Sequence, residues 1–273
     1  MEGTLVVVVN YRTPKWLTGF VRSVTAHPPP DPWTLAVVDV DPEDAMPFSL
    51  LENSSFANLP DQHHYHYVDT NIGYAGACNL AWRLHRGHHD KMAFFNADVT
   101  ITPGSLEHLC RHLDQHPDVG LVGPRQVASD GRITAGGILP GRDGRADHRG
   151  WRIRDNGHNY TDVVDAAYLA GSAIVARATV LDELADCPTY RALHGDAGPW
   201  LPTPLYYEDN WLSRHAAAHH HRVVYDGRVT IRHEWHQSPG DGWAVAQVPI
   251  ARRIFIAACD AHDIPHGEGE RAR

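Results

Sequence analysis

Leu5-Val6-Val7-Val8-Val9-Asn10-Tyr11-Arg12-Thr13-Pro14 is the stretch whose reading decides the fold. Five successive apolar residues without alternation are what a parallel strand covered on both faces requires. Thr13 followed by Pro14 reads as an N-cap with proline at the first helical position. Trp16, Leu17, Phe20, Val21 and Val24 then recur at helical spacing, up to the break at His27-Pro28-Pro29-Pro30. Leu35 to Val38 is a second buried strand, ending on Asp39.

The alternation continues. Tyr65 to Val68 reads as a short strand, and a helix from about Ala75 to His85 carries Leu80, Trp82 and Leu84. Met92 to Phe95 forms a strand ending on Asn96-Ala97-Asp98. Thr102-Pro103 repeats the cap-plus-proline signal before Leu106, Leu109 and Leu113, and Val119 to Val122 is another strand. This order predicts an α/β fold with a mostly parallel central sheet and helices on both faces. Ligands of such sheets bind beyond the carboxyl ends of the strands. Asn10, Asp39, Asn96 and Asp98 all stand at those ends.

The second half is less regular. Residues 141–161 are rich in Gly, Arg and Asp and read as a surface loop or flap, with Arg142, Arg145, Arg149, Arg152 and Arg154 solvated. Val163 to Val175 is apolar and contains Gly171-Ser172. Residues 187–204 carry four prolines and read as a long loop. A helix is expected to open at Glu208-Asp209. Val223 to Tyr225 and Val229 to Ile231 read as two strands, and a last helix spans about Val245 to Ala258. No repeat or linker divides the 273 residues, so one domain is expected.

Composition narrows the class. The net charge of −9 repels polyphosphate at long range, which argues against non-specific nucleic-acid binding. Four separated cysteines without a CxxC pair read as reduced thiols, buried at Cys78 and Cys110. The chain opens directly on a strand, with no basic leader, and no apolar run has the length to span a bilayer. A soluble, cytoplasmic protein is expected. Most of the 21 histidines fall in polar tracts such as His63-His64, His88-His89 and His219-His220-His221, and read as surface decoration.

The chemistry-bearing residues each carry two readings. Asp98, a hard carboxylate at a strand end, suits Mg²⁺ or Mn²⁺ bridging phosphates, and serves equally as a turn residue before the next helix. Asp39 suits a ribose or base, or a turn. Glu208 and Asp209 are favourable at a helix start because of the dipole alone, yet a carboxylate held there beside a cleft is a usable base. His233 is a metal ligand or a structural imidazole.

Taken in order, Asn10-Tyr11, Asp39, Asn71-x-Gly73-Tyr74-Ala75, Asn96-x-Asp98, Ala170-Gly171-Ser172, Glu208-Asp209 and His233 resemble the family 2 glycosyltransferases of the GT-A fold, rhamnosyltransferase-like branch. The resemblance runs from about residue 4 to 238. It implies a single GT-A domain, with a nucleotide-sugar-binding half at 1–123, an acceptor and catalytic half at 124–240, and a C-terminal helix and tail at 241–273. It further implies inverting transfer of a hexose or deoxyhexose from a nucleotide-diphosphate sugar to an acceptor hydroxyl, with Mn²⁺ or Mg²⁺. By resemblance the donor lies against Asn10, Tyr11, Asp39, Asn71, Gly73, Tyr74, Asn79 and Asn96. The metal meets Asp98 and His233, and Asp209, with Glu208 beside it, supplies the base.

Three positions depart from the family pattern. Asn96 replaces the first acid of Asp-x-Asp, Trp211 replaces the last acid of Glu-Asp-x-Asp, and Asp41-Pro42-Glu43-Asp44 replaces a Ser/Thr-rich continuation. The alternatives are a sugar-phosphate nucleotidyltransferase and a non-catalytic sugar- or nucleotide-binding relative. The first lacks its Gly-rich first turn here, and an NAD-binding enzyme lacks its G-x-G-x-x-G. The acceptor is expected among a glycan, a lipid-linked sugar, a small molecule and, less in keeping with the charge, a hydroxylated DNA base.

Overall fold

A computed structural model describes residues 3–30, 32–40, 62–141, 146–235 and 243–266. In chain order these form β1 (Thr4–Asn10), α1 (Pro14–Ala26), β2 (Trp33–Asp39), β3 (His63–Tyr67), α2 (Gly73–His85), β4 (Lys91–Asn96), β5 (Val99–Thr100) and α3 (Ser105–Gln115). Then follow β6 (Val119–Val127), β7 (Ile133–Ala135), β8 (Ile138–Pro140), β9 (Ala146–His148), β10 (Val163–Asp165), β11 (Ala173–Arg177), α4 (Ala178–Asp186), α5 (Pro188–His194), α6 (Glu208–Ala218), β12 (Arg222–His233) and α7 (Trp243–Ala261). The Asp41–Asp44 departure, Arg142, Arg145 and His236 lie outside the described residues.

The central sheet runs β10-β12-β6-β11-β4-β1-β2-β3. β1, β2, β3 and β4 are parallel to one another, and so are β6 and β12. β11 is antiparallel to both β4 and β6, which makes those two run the same way. The sheet is largely parallel, as its unalternating strands predict.

Period two along β1 shares its side chains between two cores. Leu5, Val7 and Val9 pack with Ala77, Cys78 and Trp82 of α2, Leu181 and Leu184 of α4, and Leu212 of α6. Val6 and Val8 pack with Leu17 and Phe20 of α1 and Leu106 and Leu109 of α3. A third cluster joins Cys187, Tyr190, Trp211, Phe255 and Cys259. All four cysteines are free and buried.

Several local expectations are corrected. Thr13 does not cap α1, because its hydroxyl donates to Asn10 Oδ1 at 2.8 Å. Thr102 turns to the Thr230 carbonyl, and α3 starts only after Gly104, whose φ of 71° breaks the chain direction. The two short strands at 223–231 are one strand, β12, with a bulge: Asp226 stands opposite Pro124 and Thr230 opposite Arg125. Charged turn chemistry within the segment made one strand read as two.

The flap is also docked rather than free. Arg149 makes a two-pronged ion pair with Asp162, at 2.8 and 3.0 Å, and lies over Tyr160 and Tyr225. Arg152 lies over Trp235. Nor are the histidine tracts all surface: His85 and His89 are buried, and His219 and His221 both pair with Glu183.

Phe94 is fully buried in β4, with its ring 5.1 Å from that of Trp200. Phe94→Ala should lower unfolding free energy by about 3–5 kcal/mol, read by denaturant titration. A loss under about 1 kcal/mol would mean that this core can collapse around the change.

Candidate active site

The carboxyl ends of the parallel strands carry three connected groups of residues. The first is at β1 and β2. Asn10 Nδ2 donates to Asp39 Oδ1 at 3.1 Å, and the Tyr65 hydroxyl donates to Asp39 Oδ2 at 2.6 Å. Burial first, and then the Asp39 hydrogen bond, push the Tyr65 phenol well above its ordinary range. Asp39 and Asn10 are both 0 % exposed. Asp39, expected to meet a nucleoside, fixes Asn10 and Tyr65, and Tyr11 and Arg12 beside them are half-buried.

The second group is the start of α2. Asn71 Oδ1 accepts from the Gly73 N–H at 2.9 Å. Gly73 has φ 72°, and a Cβ there would stand 2.6 Å from the Pro204 carbonyl oxygen, so only glycine fits. The Tyr74 hydroxyl donates to the Gly171 carbonyl at 2.6 Å, and its ring meets Trp200 edge-on. Asn79 is buried, giving one hydrogen bond to the Trp200 carbonyl and taking one from its N–H. It anchors the proline-rich loop.

The third group combines distant segments. The antiparallel pairing of β5 with β12, His233 opposite Val99, sets His233 Nε2 3.5 Å from Asp98 Oδ1. Both side chains are largely buried. The Asn96 N–H donates to the Ser172 carbonyl, while the next N–H back along that turn, from Gly171, donates to Asp209 Oδ2 at 2.9 Å. A Cβ at Gly171 would crowd the Asp209 Cβ at 3.0 Å. The Asp209 carboxylate is further fixed by the Asn210 N–H on Oδ1.

Burial raises the Asp209 pKa, partly offset by these N–H donors and by His148 nearby. Glu208, buried and bonded by Thr203 Oγ1, is also raised, first by burial and then by the Asp209 charge. Both carboxyls follow Tyr206 and Tyr207, which have φ of 67° and 68°. Two successive left-handed non-glycine residues cost free energy that the surrounding packing must hold.

Two neighbours, His148 and Gln126, were missed in the sequence. His148 of β9 pairs with the Tyr168 hydroxyl at 2.9 Å and meets Trp151 edge-on. Gln126 of β6 accepts from Ser172 Oγ at 2.7 Å. Nothing in the spacing of these residues marks them, because long-range pairing alone brings them here. Trp211 is explained: it is fully buried against Tyr190 in the third cluster, on a different side of α6 from Asp209. An acid there would be buried in an apolar cluster.

A family model, "Glycosyl transferase family 2", matches residues 5–164, more than half of the chain. The chain belongs to glycosyl transferase family 2. No curated protein matches it. Among solved structures, this family 2 chain is similar to GalNAc-T7 with UDP, GalNAc and Mn²⁺, at 11 % identity and TM-score 0.66, over 94 % of this chain and 47 % of that one. It is also similar to the mannosyltransferase PcManGT from Pyrobaculum calidifontis in complex with GDP-Man and Mn²⁺, at 15 % identity and TM-score 0.59, over 94 % and 68 %. A third is S. aureus TarS 1–349, at 13 % identity and TM-score 0.58, over 100 % and 76 %. The family 2 chain thus shares their fold, while spanning about half the length of GalNAc-T7. Among its described residues no helix is long and apolar enough to cross a membrane.

Glu208 gives a pH test of the site's burial. A carboxyl whose pKa is higher folded than unfolded weakens the fold as pH rises from the unfolded value towards the folded one. Glu208→Gln should therefore match the wild-type melting temperature in acid and exceed it by a few degrees above neutrality. A gap that does not change with pH would show that Glu208 ionises normally.

Proposed function

We propose that this chain is an inverting glycosyltransferase that moves a sugar from a nucleotide-diphosphate donor to an acceptor hydroxyl. The observation that carries the reading is the approach of His233 to Asp98 at 3.5 Å, from segments far apart in the chain. A carboxylate and an imidazole at that separation fit two positions of one Mn²⁺ or Mg²⁺ shell, whose ligands stand about 2.0–2.2 Å from the ion. Asn96 is the neutral neighbour at the strand end. When bound, the ion would neutralise the diphosphate leaving group.

The residues of the chain supply the rest. The donor nucleotide lies over Tyr11, the Asn10–Asp39–Tyr65 group and the Asn71–Tyr74 turn, within residues 1–123. Asp209 takes the proton of the acceptor hydroxyl as that oxygen attacks the anomeric carbon in line with the departing diphosphate. Its two N–H donors hold the carboxylate plane, and burial makes it a stronger base than an exposed aspartate. The acceptor, within residues 124–240, meets the His148–Tyr168–Trp151 edge. A hexose or deoxyhexose, the rhamnosyltransferase-like branch and a cytoplasmic location belong to the same reading. Family membership lends no support to a nucleotidyltransferase, and donor hydrolysis with Mn²⁺ separates an enzyme from a non-catalytic binder.

EDTA should abolish transfer and Mn²⁺ or Mg²⁺ restore it, while Asp98→Ala loses transfer and keeps its melting temperature within a few degrees. A fully active Asp98→Ala protein refutes the metal assignment.

Asp209→Asn keeps shape and donor affinity but removes the proton acceptor, so kcat should fall on the order of 10²–10⁴-fold. Glu208→Gln should cost less. The reverse ranking, in two folded proteins, moves the base to Glu208.

A further inference from the structure

A neutral imidazole carries one N–H donor and one acceptor nitrogen, and a buried one ordinarily has both paired. His215, in the last turn of α6, is only 1 % exposed, yet neither Nδ1 nor Nε2 has a hydrogen-bond partner among the described residues. His262, just beyond α7, spends Nδ1 on the Ala258 carbonyl at 2.8 Å and leaves Nε2 buried and unpartnered. Each such orphan forfeits the hydrogen bonds it would make in water, a penalty that native folds rarely keep without a reason.

The two rings share a partner of another kind. Cys187, at the junction of α4 and α5, brings its thiol to the same place, and one ligand atom from each of the three residues lies within 4.8 Å of the others. Tyr190 and Trp211 wall the cluster, with ring centroids 5.5 and 4.6 Å from His215. His194 of α5, its ring 4.9 Å from that of Tyr190, adds a further buried nitrogen, Nε2, without a partner among the described residues.

We propose that Cys187, His215 and His262 are the ligands of a zinc-class divalent ion whose fourth position is left to water, in a site separate from Asp98 and His233. One thiolate and two imidazoles form a soft-to-borderline set that selects zinc over magnesium or manganese. Ligand atoms around a tetrahedral zinc stand roughly 3.3–3.8 Å apart, so side-chain rotations of about an ångström close the site. Binding releases the thiol proton of Cys187 to solvent and gives one nitrogen each of His215 and His262 a partner. It pins the α4–α5 junction and the end of α7 to α6, the helix whose first turn holds Glu208 and Asp209. The other histidine cluster, His108, His112 and Asp226, carries no such need. Arg228 already bonds both Asp226 oxygens, so a cation there would have to displace a guanidinium.

The test removes the other metal first. Asp98→Ala protein, purified and dialysed against a weak chelator, should retain a stoichiometric equivalent of zinc by mass spectrometry. Cys187→Ser and His262→Gln, each added to Asp98→Ala and checked for fold by circular dichroism, should lose it. Cobalt loaded in place of zinc should give tetrahedral visible bands and a near-ultraviolet thiolate charge-transfer band, the latter missing in Cys187→Ser. Equal zinc in the Cys187→Ser and parent proteins, or a cobalt spectrum without a thiolate band, overturns the site. Neither result touches the glycosyltransferase reading, which is scored by activity and by Asp98.

Discussion

The peptide group of Gly171 is bonded on both sides to residues of the site. Its N–H holds the Asp209 carboxylate and its carbonyl takes the Tyr74 hydroxyl. That peptide stands where it does because β11 lies between β4 and β6, with Ala173 opposite Phe95. The same pairing lets Ser172 meet Asn96 at the end of β4. One antiparallel strand inserted in a parallel sheet thus fixes three segments: the start of α2, the turn before Asp98, and the first turn of α6. A side chain at position 171 would push Asp209 away, which gives a physical reason for glycine there.

Much of this was legible in the sequence, and unequally so. Unalternating runs such as Leu5–Val9 announce buried parallel strands, because covering both faces leaves no polar position. Asn10, Asp39 and Asp98 stood out because parallel sheets open at their carboxyl ends. The antiparallel β11 was not legible, since Ala173 to Val175 is a short apolar run and an apolar run carries no direction. Asp39 stands out at a strand end, and Asn79 only through the resemblance of the Asn71–Asn79 stretch. In the structure their polar atoms serve neighbouring backbone and side chains, an allocation that depends on tertiary partners. The Trp211 departure became intelligible only once α6 was seen to pack a separate cluster behind the carboxylates.

Helix α6 therefore works at both ends. Its first turn holds two carboxyls that resist ionisation because they are buried, Glu208 further so because of the Asp209 charge. Its last turn carries an imidazole with no hydrogen-bond partner among the described residues. The left-handed Tyr206 and Tyr207 set its entry angle. In the proposed transfer, rigidity between these ends would keep Asp209 within reach of the acceptor proton.

The bulge in β12 decides which residue reaches Asp98. Before it, Val224 packs towards α1 and α3 while Val223 and Tyr225 face the other way. After it, Ile231 packs on the α1 and α3 side. Even numbers have given way to odd, because three residues, 227–229, separate positions that face consecutive residues of β6. In an unbroken strand the parity of Val224 would carry on to Arg232, and a permanently charged guanidinium would be turned towards the side where His233 now stands. It would neutralise Asp98 and offer no lone pair. An odd number of looped-out residues is what makes this strand end in a donor instead of a cation.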